Sequence, residues 1–242
     1  MTAALIDPQI ELPLNNLSDR LFQKLREAIV EGQIPPGSKL SEPELARDHG
    51  VSRGPLREAI SRLEACALVE RKPNLGSRVV RLSAEGLVEV YLMREVLEGL
   101  AARLAAERMS DAEITGLQTL LQQHREQVEQ DEGHAYFQQE GDLDFHYRIV
   151  QGSRNERLIR ILGEDLYHLI RMYRYQLGMA SPRAFPALQE HAQLLDVIGQ
   201  RDGELAEVLM RHHIRAARRN VEHRIQRQAG ATLPSIITEE TP

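Results

Sequence analysis

Along most of this chain the apolar positions recur at the three-to-four-residue spacing of an amphipathic helix. Leu17, Leu21, Leu25, Ala28 and Ile29 line one side of a helix over residues 17–31, which Gly32 stops. The turn Q-I-P-P-G-S-K-L leads into a short extended piece. Ser41 and Glu44 then have capping-box spacing at the start of a helix that His49-Gly50 ends, with Pro43 inside the tolerant first turn. Ser52 is placed to cap a further helix over 53–66, whose Leu56, Ile60 and Leu63 form an apolar stripe. L-V-E-R-K, the turn P-N-L-G and S-R-V-V-R-L predict a β-hairpin closed by Gly76.

Beyond Ser83 the period is helical throughout. It predicts six helices, at about 83–108, 111–131, 133–151, 155–178, 183–201 and 202–228, with a capping box at Ser110/Glu113 and Ser181-Pro182 as N-cap and first residue. The fold class expected is mainly α: an N-terminal winged helix-turn-helix followed by an all-α helical bundle. The domain boundaries expected are an arm over 1–16, a head over 17–82, a bundle over 83–228 and an aperiodic tail over 229–242.

Composition adds limits. With 42% hydrophobic and 27% charged residues the chain reads as soluble and globular, and its apolar runs are far too short to span a bilayer. Before Arg20 there is no Lys or Arg, and the layout is not that of a signal peptide. Cys66, the one cysteine, excludes an internal disulfide framework, so a cytoplasmic protein with no membrane association is expected. The net charge of −6 argues against nucleic acid until it is divided: residues 17–82 hold 12 Lys+Arg against 9 Asp+Glu, and residues 83–242 hold 18 against 25.

A basic winged helix-turn-helix presents its last helix to a major groove, N-terminus first. Arg53 and Arg57 stand four apart on the face opposite Leu56, Ile60 and Leu63, and Arg is the side chain that meets guanine O6 and N7 in bidentate fashion. Arg47, Arg71, Lys72 and Arg78 suit phosphate or minor-groove contacts, with Ser52 and Gly76 at the helix start and wing tip. Taken one at a time, each is also an ordinary surface charge.

The run P-P-G-S-K-L-S-E-P-E-L-A-R-D-H-G-V-S-R-G-P-L-R-E-A-I-S-R-L-E, followed by L-V-E-R-K-P-N-L-G-S-R-V, resembles the DNA-binding domain of the GntR family of bacterial transcription regulators over residues 17–82. The resemblance implies base reading by Arg53 and Arg57 and a wing tip at Gly76. Three positions depart from the family pattern: Pro43 where some relatives carry a DNA-contacting Arg, Gly54 where Thr is usual, and Ala67 where Gly precedes the wing strand. No operator sequence can therefore be carried over from a relative.

In the bundle, His191 shares a helix face with Ala187, Leu194, Leu195 and Ile198, and His213 shares one with Leu209, Met210, Ala216 and Ala217. His146 is followed by Ile149 and Val150, and Asp142 stands four residues before it, the spacing that stacks two side chains on one helix face. Three inward histidines and one carboxylate suit a divalent transition metal. A histidine on an apolar stripe is more often a hydrogen-bonded core residue, and His124, among Leu117, Leu120, Leu121 and Val128, has that aspect.

The bundle, through M-R-E-V-L-E-G-L-A-A-R-L-A-A, D-L-D-F-H, Q-E-H-A-Q-L-L-D-V-I and M-R-H-H-I, resembles the FadR branch of the same family. It is closest to the six-helix, VanR-like variety of the FCD ligand-binding domain. That resemblance implies metal ligands at Asp142, His146, His191 and His213, an ion among Zn, Mn, Ni and Fe, and a small carboxylate effector met by Arg94. Arg94 is equally placed for an ion pair with Glu98. The function expected is a homodimeric DNA-binding regulator, repressor-like, on a palindromic operator. The alternatives are a regulator for which the ion is the signal and a metal-dependent enzyme. The enzyme reading lacks a second carboxylate or nucleophile placed by spacing to assist.

Overall fold

The computed structural model describes residues 16–72, 76–133, 144–178 and 183–231. The chain divides into two compact units, Met1–Arg81 and Leu82–Pro242. In the first, α1 (Leu17–Val30) packs against α3 (Arg53–Ala65), with α2 (Glu42–Asp48) beside α3. Leu21, Leu25, Ile29, Leu56, Ile60 and Leu63 form its buried centre, as their spacing requires. A three-stranded antiparallel sheet completes the unit: β1 (Lys39–Leu40), β2 (Val69–Lys72) and β3 (Gly76–Val79), in the order β1-β3-β2. Val69 pairs with Val79 and Lys72 with Gly76, so the alternate residues Val69, Ser77 and Val79 are the buried ones.

Helix ends differ from expectation in their chemistry. Asn16 caps α1, its side chain accepting from the Asp19 amide. Ser41 and Ser52 occupy N-cap positions, but neither side chain makes a capping hydrogen bond, so the expected Ser41/Glu44 capping box does not form. Ala67 joins α3 to β2 at φ 56°, the left-handed region that glycine enters without steric cost. The departure from the family pattern at this position is thus a strained alanine.

The second unit is all helical among the described residues. It comprises α4 (Ala84–Arg108), α5 (Asp111–Gln130), α6 (Phe145–Gly152), α7 (Glu156–Arg160), α8 (Tyr167–Tyr173), α9 (Ala184–Gly199) and α10 (Gly203–Ala231). Five-residue π-helical turns, Ile161–Asp165 and Arg174–Gly178, flank α8. The expected single helix over 155–178 is therefore interrupted by the first of these turns and ends in the second. Ser110 and Glu113 make the reciprocal capping box expected of them. Ser181 and Pro182 lie outside the described residues.

The largest correction concerns α6. It was expected to begin near residue 133, yet it starts at Phe145, with Asp144 as an extended N-cap residue at φ −104°, ψ 121°. Asp144 accepts from the amides of His146 and Tyr147, the task of an N-cap aspartate. Asp142 itself lies outside the described residues.

Candidate metal centre and DNA-reading face

Phe145, Ile149 and Val150 are buried, and they draw α6 into the bundle so that His146 enters with them. Leu188, Leu194 and Leu195 do the same for His191 on α9, and Met210 and Ile214 for His213 on α10. All three histidines are buried, and Phe145 stacks on the His191 ring at a centroid distance of 4.3 Å.

Their Nε2 atoms converge. His191 Nε2 lies 3.2 Å from His146 Nε2 and 3.2 Å from His213 Nε2. Among the described residues this is the group whose ligand atoms fall within 4.8 Å of one another. His146 Nδ1 is 2.7 Å from Glu98 Oε2, and His213 Nδ1 is 2.6 Å from Glu190 Oε2. An ionised carboxylate only accepts hydrogen bonds, so each of these Nδ1 atoms carries a proton and donates it.

Electrostatics maintains that assignment. Burial alone would raise the Glu98 carboxyl, but Arg94 and His146 outweigh it and hold the group far below the usual carboxylate range. Burial likewise works to raise Glu190, and the His213 bond and Arg183 bring it below its ordinary value. Burial pushes His191 well below 6.5, helped by the neighbouring His213 and His146 rings. Burial lowers His213 to about 4, against the opposing pull of Glu190. Near neutral pH, His191 and His213 are therefore neutral rings.

Nitrogen lone pairs brought this close repel one another unless a proton or cation lies between them. The donor set thus fits a transition-metal ion held by imidazole, with carboxylates on the opposite ring nitrogens fixing tautomer and orientation. His146, His191 and His213 are the residues that would hold it. His124 is buried but outside this group, and His212 is exposed.

Arg94, expected to meet an anionic effector, is buried and donates from Nε to Glu98 Oε1 at 2.6 Å, its guanidinium 4.8 Å from the Tyr91 ring centroid. The ion pair that its spacing allowed is thus formed, and Glu98 links Arg94 to His146. Sequence reasoning missed Glu98 and Glu190 as partners of the histidines, and Arg174, whose Nη1 meets Asp144 Oδ2 at 2.8 Å. Each pair except Arg94–Glu98 joins different helices or widely separated positions, and no local spacing signals it.

On the first unit, Arg53 opens α3, and it, Arg57, Arg47 and the adjoining Ser52 are all exposed. The Ser52 hydroxyl is not spent on a cap. Arg57 touches Glu42 at 3.4 Å while remaining 64% exposed, an arrangement too loose to hold it against a ligand. On the hairpin, Arg71 lies 3.6 Å from Glu64 and Lys72 lies 2.9 Å from Glu70, both on the exposed side. Gly76 has φ 77°, a left-handed conformation that favours glycine. Arg78 differs from the others: it donates to the Gly37 carbonyl at 3.1 Å and ties β3 to the turn before β1.

Comparison with known proteins adds to this geometry. Residues 17–79 match the family model described as bacterial regulatory proteins, gntR family, and residues 89–216 match the FCD domain model. The chain is similar to the Nta operon transcriptional regulator of Aminobacter aminovorans, 32% identical over 178 residues, which are 73% of this chain and 81% of that protein. It is also similar to the HTH-type transcriptional repressor RspR of Escherichia coli (strain K12), 29% identical over 203 residues, which are 84% of this chain and 87% of that protein. Among solved structures, E. coli McbR/YncC shares the fold, with a TM-score of 0.66 at 21% identity over 88% of this chain and 99% of that one.

Proposed function

This chain belongs to the GntR family of bacterial regulatory proteins, as a transcriptional regulator with an FCD domain rather than an enzyme, and we propose that its operator binding answers to a small carboxylate bound beside a divalent metal. The observation that carries this reading is the convergence of three histidine Nε2 atoms whose opposite nitrogens are held by Glu98 and Glu190. Asp142 is the fourth ligand in this reading. The ion is one of Zn, Mn, Ni and Fe, and when bound it supplies positive charge and open coordination positions to a carboxylate.

The charge inventory supports an anionic effector. Glu98, Asp144 and Glu190 are each already paired with an arginine: Arg94, Arg174 and Arg183 respectively. A divalent ion adds charge that these pairs do not offset, and buried charge needs compensation. A carboxylate, together with Asp142, supplies it. Arg94 in this reading turns part of its fork towards the effector, as bidentate carboxylate recognition requires.

On the DNA side, Arg53 and Arg57 read bases in the major groove. Arg47, Arg71 and Lys72 contact phosphates, Ser52 and Gly76 approach the backbone, and Arg78 supports the wing from its bond to Gly37. Two copies acting together read a palindrome. Repression in the cytoplasm is the mode proposed, with the effector shifting the balance between packing states that differ in operator affinity.

The test is operator binding by fluorescence anisotropy, with the metal removed by chelator, with it restored, and with a panel of small carboxylic acids added. Release by one class of acid only in the metal-loaded protein supports the proposal. Loss of operator binding on chelation alone, with no acid effective, supports the second reading, in which the ion itself is the signal. Unchanged binding in every arm sinks both.

A further inference from the structure

The three histidines are not held alike. His191 and His213 lie in the interiors of the long helices α9 and α10, so the packing of a whole helix places each of them. His146 is the second residue of α6, a helix of eight residues. So short a helix has little stability of its own, and the position of a residue in its first turn depends on the cap. Asp144 supplies that cap through one oxygen: Oδ1 accepts from the His146 amide at 2.9 Å and from the Tyr147 amide at 3.3 Å. The other oxygen, Oδ2, accepts from Arg174 Nη1 at 2.8 Å. Arg174 stands where α8 gives way to the π-helical turn Arg174–Gly178, so this pair ties that turn to the start of α6. The Asp144 side chain is 1% exposed and that of Arg174 16%, which leaves water little part in solvating either. Burial works to raise the Asp144 carboxyl and to lower the Arg174 guanidinium. Their mutual attraction outweighs it at both ends, and both groups stay charged.

We propose that Arg174 is a positioning residue for the histidine centre. Through Asp144 it fixes the first turn of α6, and with it where His146 Nε2 stands against His191 Nε2. The inference rests on the metal reading above and adds a residue that makes no hydrogen bond to any of the three histidines. Its action is distinct from that of Glu98, which aims the His146 ring from α4 through Nδ1. Glu98 sets the rotation of the ring, and the Asp144–Arg174 pair sets the backbone from which the ring projects. Supporting contacts of this kind orient ligands and alter affinity without touching the ion.

The test uses the full chain and Co(II) as the probe, because its visible d–d bands report the geometry of the bound ligands. Arg174→Met alone strands a buried carboxylate and risks unfolding, so the decisive variant is Arg174→Met with Asp144→Asn. Asparagine still caps a helix, and no unpaired buried charge remains. The expected result is a Co(II) affinity weaker by about tenfold, with shifted d–d bands, in a protein whose circular dichroism matches wild type. Arg174→Lys, which keeps the charge, recovers most of the affinity. A double variant with wild-type affinity and bands overturns the positioning role and leaves the metal reading intact, even where its metal-free melting temperature has fallen. A wild-type protein that takes up no Co(II), or that takes it up equally after His191→Ala with His213→Ala, removes the metal reading and this inference together.

Discussion

Glu98 Oε2 accepts a hydrogen bond from His146 Nδ1 at 2.7 Å while the other oxygen of the same carboxylate, Oε1, accepts from Arg94 at 2.6 Å. One fully buried side chain on α4 thus orients a candidate metal ligand on α6 and neutralises the residue assigned to the effector. Glu98→Gln retains the shape and loses the charge. Its expected effects are a metal affinity weaker by about 10- to 100-fold, as when a ligand's supporting partner is removed, and a stability loss of about 3–5 kcal/mol from the stranded Arg94. Metal titration calorimetry and thermal melting separate the two. Normal metal affinity in a folded Glu98→Gln protein would show that this contact does not tune the site.

Glu190→Gln supplies the contrast. Glu190 is partly exposed and shared between His213 and Arg183, so its loss leaves no fully buried charge behind. Metal affinity falls by a similar factor, while the melting temperature changes by no more than a few degrees.

The same centre predicts ligand-linked stability. Metal that binds the folded state alone at about 100 times its Kd stabilises by about 2.7 kcal/mol, which raises the melting temperature of a domain this size by several degrees. His191→Ala with His213→Ala abolishes the increment and empties the protein of metal by elemental analysis. An increment that survives the double substitution would place the metal elsewhere.

Two classes of basic residue predict two DNA phenotypes. Arg53→Ala and Arg57→Ala each cost about 1–3 kcal/mol on the cognate operator and relax sequence preference at one position. Arg71→Ala and Lys72→Ala weaken binding across sequences and lower the salt slope by about 1 each. Anisotropy titrations at several salt concentrations, on cognate and scrambled duplexes, distinguish these patterns. An Arg53→Ala protein that keeps full sequence preference argues against base reading.

Ala67 offers a stability test independent of ligands. A non-glycine residue in the left-handed region carries roughly 1–2 kcal/mol of steric cost, of which Ala67→Gly recovers the greater part after the added unfolded-state entropy is subtracted. A gain of about 0.5–1 kcal/mol in the unfolding of the first unit is expected, measured by urea denaturation. Ala67→Val shifts the midpoint the other way.

What could be read in the sequence was the local physics. Apolar spacing marked α1, α3, α4, α5, α9 and α10, because a helix's buried face is written in its own residues. It also turned His191 and His213 inward, because a side chain on an apolar stripe goes where the stripe goes. The boundary of α6 escaped, because helical period continues through D-L-D-F-H in the letters while Asp144 adopts the extended cap conformation. The interruptions around α8 escaped for the same reason, since a π-helical turn alters hydrogen bonding without altering composition. The chain by itself determined its two units, its family and the charged, exposed side of α3. Tertiary structure alone decided that His191 Nε2 comes to 3.2 Å from the Nε2 atoms of both His146 and His213, and that Glu98 and Glu190, rather than any neighbour in sequence, aim two of the three rings. Such contacts depend on how helices cross, and crossing is set by packing across the whole bundle rather than by spacing within one helix.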